Sequence, residues 1–140
     1  MPESDFDLVD GLCLRIADKK EKLGLNALKE EERVIVLVWH ASGIIENGGF
    51  MYFYESGLDA EEVAWAYAKI DCDKCAEILR MSLSLFPDSL RQKSGDERVE
   101  YIERNKELFY NLSSLFWDAD LEMLKRMAEY VRTNADKICN

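Results

Sequence analysis

Two cysteines and one histidine are the residues best suited to do chemistry. Cys72-Asp73-Lys74-Cys75 sets two thiols about one turn apart at the start of a predicted helix, where the helix dipole would lower a thiolate pKa. Thioredoxin-type chemistry needs that motif after a strand, and a structural zinc needs two further Cys or His ligands at compatible spacing. Only Cys13, His40 and Cys139 remain, scattered along the chain. The pair therefore reads first as half-buried helical cysteines, and a metal or thiol protein using Cys72 and Cys75 is the alternative. His40 lies between Trp39 and Ala41 in the most apolar stretch, with no hydrolase or protease nucleophile motif to serve. It reads as a core or helix-facing imidazole. Asn47-Gly48-Gly49 precedes no Lys-Ser or Lys-Thr and so builds no phosphate cradle. No catalytic residue, metal or cofactor is expected.

Carboxylates are what the chain has in excess: 28 Asp and Glu against 18 Lys and Arg, a formal charge of -10. That field repels phosphate, which disfavours direct binding of nucleic acid or an anionic membrane and favours a basic protein partner. Asp96, Glu100, Glu103 and Glu107 fall at i, i+4, i+7 and i+11, a carboxylate line about 16 Å long if one helix carries all four. Arg104 and Lys106 are placed to pair with Glu100 and Glu103. A solvated helix face accounts for the same residues without a partner. A domain this size, with a radius of gyration of about 14 Å, covers on the order of one duplex turn bearing about 20 phosphates. A net -10 imitates such a surface only if the acids gather on one side.

These residues must be positioned by helices. Apolar residues between 6 and 22 recur at three- and four-residue steps. Asn26 is the expected N-cap of a second helix whose early turns hold Glu30, Glu31 and Glu32. The β-branched run 34–39 could form a strand in isolation, but its continuation through Ala41, Ile44 and Ile45 is too long for one, which predicts a buried central helix. That helix should end near Glu46 with a left-handed cap at Asn47 or Gly48. A short aromatic helix over 50–56 should then fold back so that Phe50, Tyr52, Phe53 and Tyr54 pack on the helix just left. These rings read as core, with a dimer seam as the alternative. Asp59 followed by Glu62 marks the next helix start, Asp71 the one over 72–86, and Asp118 the last. A polar loop over 87–95 separates the helix over 72–86 from one over 96–117, broken midway.

Seven helical stretches with short connections predict an all-α, single-domain multi-helix bundle over residues 1–140. The apolar run 34–39 is far short of the ~20 residues of a membrane span. The N-terminus lacks the plan of a signal peptide, so a cytoplasmic setting with reduced cysteines is expected.

Across residues 31–86 the chain resembles a DNA-mimic family, the DMP-nineteen-like proteins. The carrying features are Glu32-Arg33-Val34, Glu46-Asn47-Gly48-Gly49-Phe50, Phe53, Ser56, Ala66, Ile70, Ala76 and Phe86. Tyr52 stands where that family often has Gln, Glu55 where Asn is usual, and Asp71 where Gly is common. The resemblance implies a non-enzymatic, acidic helical protein that occupies the DNA-binding face of a transcription regulator, such as a helix-turn-helix protein, and that self-associates into dimers. It assigns Glu46, Asn47, Gly48, Gly49 and Phe50 a structural corner. Asp96, Glu100, Glu103 and Glu107 are the candidate partner-binding residues from helix geometry alone. An immunity-type inhibitor of a toxin is the alternative binding function.

Overall fold

A computed structural model describes residues 3–91 and 95–138. Cys139 and the middle of the expected loop over 87–95 lie outside them. Seven α-helices follow one another among the described residues: α1 (Asp5–Leu23), α2 (Glu30–Glu55), α3 (Ala60–Lys69), α4 (Asp73–Ser84), α5 (Gly95–Arg104), α6 (Lys106–Ala119) and α7 (Met123–Thr133). No strand occurs among the described residues, and the run 34–39 is helical. α2 touches α1, α3, α5 and α6; α3 packs on α4, α4 on α6, and α1 on α7. One buried core extends from Val9 to Ile138 through all seven helices.

α2 has the length and composition of a membrane-spanning helix, which the short run 34–39 did not foreshadow. Its Val34, Ile35, Val38, Ala41 and Ile45 are nonetheless buried in that core. The helix starts later than its sequence suggests. Asn26 sits in a 3-10 turn (Leu25–Ala27), and Lys29 takes the N-cap position. The wholly buried Glu32 carboxylate accepts the Lys29 backbone N–H at 2.9 Å and the Lys19 ammonium at 2.8 Å. One acid thus closes the first turn and ties α1 to α2, and that double role outweighs the intrinsic preference for Asn26.

α2 also does not end near Glu46. It bends once, at Gly49 (φ 66°, ψ −161°), and continues to Glu55, while Asn47 and Gly48 keep helical angles. The left-handed cap expected at Asn47 or Gly48 is therefore replaced by a kink one residue later. α3 begins as its sequence predicts, with the Asp59 carboxylate accepting the Glu62 N–H at 3.0 Å. The Glu62 side chain does not close the box; it takes the Arg33 guanidinium across to α2.

Asp71 does not cap α4. It adopts a positive φ of 64° and ends α3, its N–H donating to the Ala68 carbonyl at 3.1 Å and the Cys72 N–H to Tyr67 at 2.9 Å. That left-handed bend suits glycine, and Asp tolerates it only at a cost. Asp71→Gly is therefore expected to raise stability by about 0.5–1 kcal/mol, read as a higher urea midpoint with an unchanged slope. A lower midpoint would mean that the Asp71 side chain contributes more than its backbone angle costs.

The helix over 96–117 breaks at Asn105 (φ −130°, ψ 37°), whose side-chain amide donates to the Tyr101 carbonyl at 2.9 Å. This local bond competes with helix continuation and separates α5 from α6. Asp118 is the second-to-last residue of α6 rather than the cap of the last helix, which starts at Met123 after a 3-10 turn (Asp120–Glu122).

Candidate partner-binding surface

The Glu46-Asn47-Gly48-Gly49-Phe50 corner docks α2 on α6. At Gly49 the Phe50 N–H turns away from its own helix and donates to Ser113 Oγ at 3.1 Å. One turn later on α6, the Trp117 indole N–H donates to the Ile45 carbonyl at 2.9 Å. A methyl group on Gly49 would lie 2.8 Å from Ser113 Oγ, and one on Gly48 would run into the Tyr52 ring. The rings after the corner do not return to the first arm of α2. Phe50 meets Phe116 of α6 edge-on at 5.9 Å between centroids, and Tyr54 meets Phe86 at 4.8 Å. Tyr52 points outward and is exposed. The kink swings Phe50 toward α6 and Tyr54 toward α4, buries Phe53 beside them, and leaves Tyr52 for solvent.

The thiols are placed for packing. Cys72 and Cys75 are buried, and no group of three or more His, Cys, Asp or Glu that could hold a metal forms among the described residues. Burial first, and then the charge of Asp120, pushes the Cys72 thiol up to about 12 and raises Cys75 as well. The lowering that a helix start could give these thiols is outweighed, because desolvation disfavours the charged form more than the helix terminus favours it. Neither thiol is activated as a nucleophile. His40 is not in the core either: it is exposed beside Trp39, Gly43 and Tyr52 in an open groove on α2. Its helix is buried on one side only, and position 40 falls on the other.

Asp120 was legible only as one of many acids near helix starts. It is 5% exposed. Its Oδ2 accepts the Ser42 hydroxyl and its Oδ1 the Tyr67 hydroxyl at 3.2 Å, so one carboxylate joins α2, α3 and the turn before α7. Burial pushes its pKa up from 3.8 to about 6, against the lowering effect of the two hydroxyls, with Glu46 adding a raising charge. The available signal was spacing: position 120 falls in helical register with the buried Met123, Met127 and Val131.

Asp96, Glu100, Glu103 and Glu107 are all exposed. The break at Asn105 ends the straight line at Glu103, and Glu107 restarts in the first turn of α6. Glu100 is held by Arg104 at 2.6 Å, the i, i+4 pair that the sequence suggests. Among the described residues no ion pair engages Asp96, Glu97, Glu103 or Glu107. Arg98, the other basic residue of α5, turns inward: its guanidinium donates to the Leu90 and Arg91 carbonyls and stacks 5.6 Å from the Tyr54 ring. Gly95 lies so close to the end of α2 that a methyl there would sit 3.3 Å from the Glu55 carbonyl oxygen. Glu55, also exposed and outside any ion pair among the described residues, therefore adjoins the acidic start of α5, a neighbour that sequence spacing could not reveal.

Elsewhere, among the described residues, five basic residues bridge helices. Lys19 pairs with Glu32, Arg33 with Glu62, Lys69 with Glu30, Arg80 with Glu61, and Arg132 with Asp5. The end of α2 and the outer sides of α5 and α6 carry exposed carboxylates that enter no ion pair among the described residues, with Lys106 and Arg104 beside them in sequence. A family profile described as DMP19-like protein matches residues 26–134, wider than the 31–86 region carrying the sequence resemblance. No curated protein and no solved structure matches the chain significantly.

Proposed function

Since the chain belongs to the DMP19-like family, we propose that it is a non-enzymatic acidic protein that covers the DNA-binding face of a basic transcription regulator, such as a helix-turn-helix protein, within the cytoplasm. The observation that carries this reading is the pairing pattern. Glu55, Asp96, Glu97, Glu103 and Glu107 lie exposed along the end of α2, α5 and the start of α6, none in an ion pair among the described residues, while Arg98 of the same stretch turns inward. Opposed to a regulator's Arg and Lys side chains, these carboxylates would take the place of phosphates and speed encounter by electrostatic steering. Raised pKa values at Cys72 and Cys75 support a binding role over thiol chemistry.

The test is capture of DNA-binding proteins by the immobilised chain at low and high salt. Capture is expected at low salt, with about a tenfold loss at high salt and a comparable loss for Asp96→Lys/Glu103→Lys/Glu107→Lys. Capture insensitive to both changes would remove the acidic surface from the interface.

A further inference from the structure

A cleft of about 460 Å³ opens between α1, α2 and the Asp120–Glu122 turn, on a part of α2 distinct from the acidic end described above. Its wall is partly aromatic: the Phe6 and Trp39 rings both line it, tilted at 54° with centroids 6.0 Å apart. Gly43 leaves the helix surface between them bare, with open space where a side chain would stand. The polar groups that line it are Ser42, Glu46 and Asp120, and among the described residues no Lys or Arg lines it. Asp120 is fixed by its hydroxyl partners, while Glu46 is exposed and outside any ion pair among the described residues.

An apolar passage, a pair of aromatic rings and a free carboxylate together favour a cation on a hydrocarbon stem. An anionic ligand would be repelled by Glu46, and a neutral donor would compensate its desolvation less fully than a cation. A bare metal ion would gain nothing from the rings, whereas a guanidinium stacks on Trp while its planar fork engages a carboxylate. We propose that this cleft seats one arginine side chain, with the guanidinium over Trp39 and against Glu46. That the arginine comes from the basic partner rests on the function proposed above; the chemistry of the cleft does not.

The probe is arginine blocked as its N-acetyl, N-methylamide derivative, titrated into the full chain and followed by two-dimensional NMR, with identically blocked citrulline as the neutral isostere. Saturable shifts are expected at the Trp39 indole and the Gly43 amide, with citrulline at least about tenfold weaker. Glu46→Gln, an exposed change that spares the core, should weaken binding about three- to tenfold, and Trp39→Leu should abolish the saturable response. Equal binding of citrulline overturns the proposal, as do shifts that never saturate and spread over acids on every face, or wild-type affinity in both variants. The readout uses no regulator. Arginine binding here with capture unaffected by charge reversal on α5 and α6 would sink the surface reading and leave the cleft standing; the reverse pattern would sink the cleft alone.

Discussion

Gly49→Ala is expected to destabilise the protein by about 3 kcal/mol or more, as a large drop in urea midpoint. Two costs combine. The Gly49 angles (φ 66°, ψ −161°) lie in a region open essentially to glycine, and forcing a side chain there costs about 1–3 kcal/mol. The new methyl would also lie 2.8 Å from Ser113 Oγ and push the hydroxyl off the buried Phe50 N–H, a loss of about 1–3 kcal/mol. Ser113→Ala incurs only the second cost, so the double variant, which incurs it once, should be less destabilised than the sum of the two single changes. If Gly49→Ala costs less than Ser113→Ala, the kink does not hold α2 to α6 in the way described.

Asp120→Asn is expected to do the opposite near neutral pH and raise stability by up to about 3 kcal/mol. Asp120 has a folded pKa of about 6 against 3.8, so the native state binds a proton more readily than the unfolded chain between those values. A group shifted this way gives its full stabilisation below pH 3.8, loses it as pH rises toward about 6, and gives none above. Asn keeps the shape and can still accept the Tyr67 hydroxyl, while its amide donates to a reoriented Ser42, without burying a charge. The gap between variant and wild type should therefore be widest above pH 6 and close toward pH 4. Paired urea titrations across that range check it. A variant less stable than wild type at neutral pH would show that the charged hydrogen bonds to Ser42 and Tyr67 outweigh desolvation.

Helix content was readable because apolar residues recur at helical spacing over most of the chain, and the break between α5 and α6 was anticipated within that pattern. Local caps were readable where one residue satisfies one turn, as Asp59 does for Glu62. They were misplaced where a distant partner decides. Glu32 draws the start of α2 to Lys29 because Lys19 of α1 shares its carboxylate, and no spacing within α2 encodes Lys19. Glycines at 48 and 49 announced a backbone change but not its form, since Ser113 and Trp117, far along the chain, accommodate a kink where an isolated peptide would stop. The candidate surface was half visible. Helical periodicity put Asp96, Glu100 and Glu103 on one outer face, but it could not reveal that Glu55 adjoins them or that Arg98 turns inward, both products of α5 docking against α2.

The most direct measurement is displacement of a labelled DNA duplex from the captured regulator, followed by fluorescence anisotropy as the protein is added. Wild-type protein should release the duplex, Asp96→Lys/Glu103→Lys/Glu107→Lys should need at least about tenfold more, and a control reversing the seam acids Glu30 and Glu61 should match wild type. If both reversed proteins release DNA equally well, or if wild-type protein binds the regulator while the duplex stays in place, the carboxylates of α5 and α6 do not stand in for phosphates.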